Sequence, residues 1–318
     1  MATFATSEQL LVVIDPLARQ ADGESVRIAK DVLSAGAATK VCLPEGPQEF
    51  ARALARRGAR RPVVVGDDQA LVRAVGLLHR QRELAGCALS MVPVGGVLSL
   101  AGALGVPTGA VAAARAVLEG AERRLDLLVD DSDGVVLGGL RIPPVGFPEA
   151  GASPAGATAV GATAVGATAV GPGGSAGPPG DGDDDTDDSG DLGGVSRPWL
   201  RTCRSLVRTL VPGRPARAAT APGPSRLRVE VDGETLVDLD QPLEAVSVTP
   251  GGSGLVQVEV QPVSVGAEAV PLLARGHRVT VSGADFRYRA DSGVTGPVRR
   301  RTWTVRESAL GLVLPPTA

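Results

Sequence analysis

The chain has 318 residues, enough for two domains of ordinary size; 43% are hydrophobic but only 2% are aromatic, so its cores must be built from Val, Leu and Ala. The net charge is −3, yet seven aspartates lie between Asp181 and Asp191, which leaves the rest of the chain at about +4. That balance is too weak and too scattered for a nucleic-acid partner. Cys42, Cys87 and Cys203 are far apart and odd in number, which does not suggest a disulfide framework. MATFATSEQLLVVIDP lacks the basic region of a signal peptide, and no apolar run approaches the roughly 20 residues that cross a bilayer. The expected location is the cytosol.

Residues 8 to 140 alternate between strand-like and helix-like segments. Leu10 to Ile14 reads as a strand, and Val26, Ala29, Val32 and Leu33 form a helical stripe that stops near Gly36. Lys40 to Leu43 is a second strand; Pro47 opens a helix carrying Phe50 and Leu54 and closing at Gly58. Val63 to Val65 lead into Gly66, after which Leu71, Val72, Val75 and Leu78 share one helical side. Ala88 to Val92 is a further strand. Thr108 is a plausible cap for a helix through Ala112, Arg115 and Leu118 that ends at Gly120. Leu125 to Val129 and Val135 to Leu140 flank Asp-Ser-Asp-Gly, a hairpin signal. Repeated βα units of this length imply a mostly parallel sheet covered by helices.

The periodicity stops from 143 to 196. GATAV occurs three times in tandem from Gly156 to Val170, then Gly and Pro give way to DGDDDTDDSGD. Such a segment buries too little to offset its ordering entropy and reads as a disordered insert. After it, Trp199, Cys203, Leu206, Val207 and Leu210 fall on one helical face, with Arg201, Arg204 and Arg208 on the others. That helix can pack on a neighbouring sheet or lie on an anionic membrane surface. From Arg226 the period becomes two: Leu227, Val229 and Val231 precede Asp232-Gly233, and Val256, Val258 and Val260, then Val279 and Val281, then Phe286 and Tyr288 alternate likewise. The expected fold class is therefore α/β: a mostly parallel nucleotide-binding-type domain over 8–142, the 143–196 insert, then a helix and an antiparallel β-sandwich-like domain over 197–318, the last strand returning to the first domain.

The turn Gly66-Asp67-Asp68-Gln69, at the start of a helix after a buried strand, is where backbone N–H groups meet anions in α/β folds. It resembles the GGDGT turn of the diacylglycerol kinase family of lipid kinases. Gly66 and Asp67 match; Val65, Asp68 and Gln69 replace the first glycine, third glycine and threonine, and Leu71 and Val72 the Asn-Glu pair that follows. Ile14-Asp15-Pro16 resembles that family's Asn-Pro after its first strand. Met91-Val92-Pro93-Val94-Gly95-Gly96 resembles its Pro-x-Gly-Thr turn, and Leu104-Gly105-Val106-Pro107 its Leu-Gly-x-Pro. Arg124 to Leu127, Asp291-Ser292-Gly293, Thr302 to Val305 and Leu312 to Pro315 resemble later strands of the family.

The Ala/Gly/Arg-rich, Lys-poor composition points to a GC-rich, actinobacterial genome. The resemblance covers nearly everything except the insert, and implies a degenerate member of that family. It implies ATP and Mg²⁺ as cofactors if binding survives, lipid or an anionic membrane surface as a transient partner, and contact with the inner face of the membrane. It carries Asp15, Gly66, Asp67, Asp68, Gln69, Pro93, Gly95 and Gly96 over as nucleotide-site positions, with Asp67 as catalytic base or metal-orienting acid and no metal ligand set legible. The substitutions argue against turnover. Asp68 puts a carboxylate where phosphate passes, Val72 replaces a metal-water glutamate, and Gly96, Leu98 and Ser99 replace the threonine and Asn-Asp of the second turn. The expectation is a non-catalytic nucleotide- or lipid-binding or regulatory protein. The alternatives are an active lipid kinase and a scaffold acting through its acidic linker. Asp67 and Asp68 also fit a solvated turn that caps a helix, and Gly95-Gly96 a purely structural one.

Overall fold

In the computed structural model, residues 9–144, 224–263 and 270–316 are described; the 145–196 part of the expected insert and the Trp199 to Val211 helix lie outside them. The first half is built as β1 (Gln9–Ile14), α1 (Pro16–Ala21), α2 (Gly23–Gly36), β2 (Ala38–Cys42), α3 (Pro47–Ala55), β3 (Arg61–Gly66), α4 (Asp68–Arg80), β4 (Ala88–Pro93), α5 (Ser99–Ala103) and α6 (Ala110–Glu119). Strands β4, β3, β1 and β2 lie side by side in that order, all parallel. Each of β1, β3 and β4 is apolar on both faces because each face is covered by helices, the usual condition for a parallel sheet. Leu10, Val12 and Ile14 pack toward α2 and α6, while Leu11 and Val13 pack toward α3 and α4. One strand thus supplies two cores by the two-residue period of its side chains.

The chain then enters a large antiparallel region: β5 (Ala121–Asp130), β6 (Val135–Val136), β7 (Leu140–Ile142), β8 (Ser225–Val231), β9 (Glu234–Val237), β10 (Pro242–Gly252), β11 (Leu255–Pro262), β12 (Leu272–Gly276), β13 (Arg278–Ala290) and β14 (Gly293–Leu314). The alternation read over Leu227 to Val231 and Val256 to Val260 points these side chains into one core with Tyr288 and Trp303. Strand β14, 22 residues long, begins against β13 and ends against β4, with Gly311 and Leu312 opposite Ala88 and Leu89 in parallel register. It also runs antiparallel to β5 for most of that length. The register slips between Arg306 and Leu310, where Ser308 has φ +50°. The Asp126 carboxylate accepts N–H bonds from Ser308 and from Gly254, both at 2.8 Å, so the amide freed by the bulge keeps a partner. The molecule is an α/β protein with a large antiparallel sheet.

Three local readings need correction. Gly109, not Thr108, is the N-cap of α6, and no side chain bonds there; alanines at Ala112, Ala113 and Ala114 carry that helix by propensity. The segment Val135 to Leu140 is not one strand. Strand β6 pairs with β5, the chain breaks at 137–139, and β7 pairs with β10 and β13 instead. A Cβ at Gly139 (φ +149°) would lie 2.7 Å from Thr249 Cγ2 and 2.9 Å from the Val248 carbonyl, so only glycine lets the chain cross there. Helix α3 stops at Ala55, short of Gly58, which lies in a left-handed turn at φ +61°.

Candidate functional site

The C-terminal ends of β1, β3 and β4 are where a parallel α/β sheet collects polar groups, and the singled-out residues converge there. The Asp15 N–H donates to the Val65 carbonyl, and the Val94 N–H to the Gly66 carbonyl, each at 2.9 Å, so the three strand ends are stitched together. A Cβ at Gly66 would sit 2.6 Å from the Ala70 Cβ and 3.1 Å from the Asp15 Cβ; the glycine permits that close approach. Gly95, at φ +119°, brings the second turn against the first, with its would-be Cβ 3.6 Å from the Asp67 Cβ. Pro93 is the buried last residue of β4, whereas Gly96 and Gln69 are exposed.

Each of the three aspartates is used by the fold. Asp15 is buried at 2% exposure; one carboxylate oxygen accepts the Leu17 N–H (2.9 Å), capping α1, and the other takes Arg73 Nη1 at 2.6 Å. The Arg73 guanidinium in turn lies 5.6 Å above the Phe50 ring. Asp67 is half-buried and caps α4 by accepting the Ala70 N–H at 3.0 Å. Asp68 is 1% exposed, and its carboxylate accepts the N–H groups of Leu100 (2.8 Å) and Ala101 (3.0 Å) and the Ser99 hydroxyl (3.3 Å). Its own N–H donates to the Val97 carbonyl. So Asp68, placed in α4, closes the free amides of α5 and ties the two turns together.

Sequence reasoning read Asp67 and Asp68 together as a solvated turn that caps a helix; Asp67 is the cap, and what the buried Asp68 does was missed. The signal was Ser99, whose spacing from an apolar pair opens a short helix, but five residues are too few for a periodic reading. Val72 is half-buried against the core under α4, and Leu71 is fully buried. We expect Asp68→Ala to cost about 1.5–3 kcal/mol, the loss of charge-assisted bonds plus two unpaired buried amides. Asp68→Asn, which keeps one acceptor oxygen, should cost less; equal urea midpoints for Asp68→Ala and the native protein would refute the cap.

A fourth carboxylate meets this region from the far end of the chain. Asp291, at φ +46°, accepts N–H groups from Leu137 (2.9 Å), Gly138 (2.7 Å) and Gly139 (3.2 Å). A Cβ at Gly138 would be 2.7 Å from Leu100 Cδ1, so this turn abuts the start of α5. Burial pushes the Asp291 carboxyl above its usual range; the three amides hold it down, and the nearby Asp68 charge adds to the upward push. The long β13–β14 hairpin brings Asp291 here; Asp291-Ser292-Gly293 stood out in the sequence, but nothing local places it beside the 137–139 turn.

His79 Nε2 lies 2.9 Å from Asp133, and His277 Nδ1 3.6 Å from Asp232, so both histidines pair with carboxylates. Among the described residues no three His, Cys, Asp or Glu side chains converge as a metal-binding group. None of the described helices is long and apolar enough to cross a membrane.

No family model matches this sequence, and no curated protein matches it. Solved structures do. A Bacillus anthracis str. Sterne protein, provisionally named a diacylglycerol kinase, aligns with a TM-score of 0.62 at 11% identity, over 99% of this chain and 100% of that one. Another structure from the same strain, described as a diacylglycerol kinase, aligns with a TM-score of 0.60 at 11% identity, over 98% of both chains. The likeness lies in the course of the backbone: the described residues have a diacylglycerol-kinase-like fold.

Proposed function

We propose that this protein is a non-catalytic, lipid-kinase-like protein, a degenerate actinobacterial relative of diacylglycerol kinases that binds a nucleotide or a lipid and acts as a regulator. The carrying observation is Asp68: its buried carboxylate already holds the Leu100 and Ala101 amides that open α5. Those amides lie just after the second turn, and a fixed carboxylate beside that turn repels a phosphate there. The residues at hand therefore fit ATP with Mg²⁺ poorly at this turn, and no transfer step is derived through them. Phosphoryl transfer depends on positioned charge, and a carboxylate fixed beside the turn works against it. Transient contact with lipid or an anionic surface at the inner face of the membrane belongs to the same proposal and rests on the resemblance.

With diacylglycerol, ATP and Mg²⁺ the protein should therefore show no turnover above background. Calorimetry with ATP and Mg²⁺ reports separately whether nucleotide binds. Robust phosphorylation that disappears in Asp67→Asn would overturn the proposal and establish an active kinase that uses Asp67 as base or metal-orienting acid.

A further inference from the structure

Two arginines lie directly opposite one another on neighbouring strands: Arg141 of β7 and Arg289 of β13 share a register position. Their strand neighbours Leu140, Ile142 and Tyr288 enter the buried core with Trp303, so by alternation both arginines stand on the opposite face of the sheet. Directly opposed residues of an antiparallel pair have Cβ atoms about 4.5–5.5 Å apart, and like charges there repel.

The surroundings do not compensate this repulsion. Both side chains are only half-exposed, and the Nε atom of each is buried without a hydrogen-bond partner. Among the described residues neither guanidinium has an ion pair, whereas other arginines of the sheet do: Arg228 pairs with Asp238 at 2.8 Å and Arg301 with Asp131 at 2.6 Å. The acids nearest in the pleat do not serve. Asp291 is turned onto the amides of 137–139, and Glu259 stands in the same row but beyond Ser247. Arg287, exposed and without an ion pair among the described residues, lies one alternate position before Arg289 on the same face, and Ser247 lies in register with Arg141. A buried donor without an acceptor and an unscreened pair of like charges are each costly.

We propose that Arg141 and Arg289 form a binding site for a phosphate monoester dianion, with Ser247 as an adjoining donor and Arg287 as an outer charge. Two planar guanidinium forks match the charge of a dianion and its three terminal oxygens; a lone carboxylate would neutralise only one of them. The proposal uses none of Asp15, Asp67 and Asp68, so its test does not depend on nucleotide binding by those residues. The phosphoryl group can come from a soluble ester or from a lipid headgroup of the phosphatidic acid type, and the experiment separates the two.

Thermal melts at constant ionic strength would compare glycerol 3-phosphate with chloride. Sedimentation would compare phosphatidylcholine vesicles carrying phosphatidic acid with vesicles matched in charge by phosphatidylglycerol. The native protein should gain stability from glycerol 3-phosphate, or sediment preferentially with phosphatidic acid. The first result assigns a soluble ester and the second a lipid headgroup. Arg141→Gln and Arg289→Gln should each weaken that binding by about tenfold or more, the loss of one charge-assisted contact. Arg299→Gln, which removes an exposed arginine paired with Asp285, should leave it unchanged. Without the anion, Arg141→Gln should melt no lower than the native protein, because it removes a like-charged neighbour. Should a Gln variant fail to fold, Arg289→Lys, which keeps the charge but loses the fork, should still weaken binding. The proposal is overturned if neither probe distinguishes itself from its control, or if the Arg141 and Arg289 variants bind as the native protein does.

Discussion

Asp15→Ala is expected to destabilise the fold by about 3–5 kcal/mol, the usual loss when one partner of a buried ion pair is removed. The carboxylate is 2% exposed and holds both Arg73, at 2.6 Å, and the first free amide of α1. Without it, the Arg73 guanidinium stays wedged over Phe50 with no counter-charge. Arg73 retains 30% exposure, so partial rehydration places the expected loss toward the lower end of the range. Asp15→Asn keeps an acceptor for the Leu17 N–H and loses only the charge, so it should fall between the two. Urea unfolding decides: a loss under about 1 kcal/mol would mean that Arg73 finds water as readily as it finds Asp15.

Trp303→Ala should cost a comparable amount, about 3–5 kcal/mol, by emptying the centre of the antiparallel core. Trp303 is fully buried, meets Tyr288 edge-on at 5.2 Å between ring centroids, and is flanked by Val279 and Asp130 on its two neighbouring strands. Burial also raises the Tyr288 phenol above its usual pKa, in keeping with a packing role for that ring. The indole Nε1 has no hydrogen-bond partner, so Trp303→Phe sacrifices volume but no bond and should be clearly milder. Equal losses for the two variants would point to an unrecognised polar role for the indole.

The location of the candidate site was legible early because strand-turn-helix units carry strong local signals. Val63 to Gly66 is apolar on both faces, and Asp67 begins the stripe that becomes α4, so position and cap could be read together. The short helices α1 and α5 could not be read, since six and five residues hold less than two turns of pattern. The break at 137–139 also escaped, because Gly138 and Gly139 read as part of a hairpin strand until Asp291 and Thr249 are placed beside them. The substitution of aspartate at position 68 was conspicuous in sequence. Its partner was not: Leu100 and Ala101 lie 32 and 33 residues further on.

The sequence by itself determined what depends on near neighbours: the alternating βα units, the two-residue period after Arg226, and the glycine-aspartate turn that ends β3. Periodicity is a local property, because a helix or strand exposes its buried face at fixed spacing wherever it is packed. Only the tertiary structure decided which charges meet. It set Asp15 on Arg73 across 58 residues, Asp291 on the amides of 137–139 across more than 150, and Arg141 opposite Arg289 with no acid between them. Those pairings follow from sheet order and register, above all from β14 reaching from β13 to β4, and a side chain's partner across a sheet is set by the neighbouring strand rather than by its own.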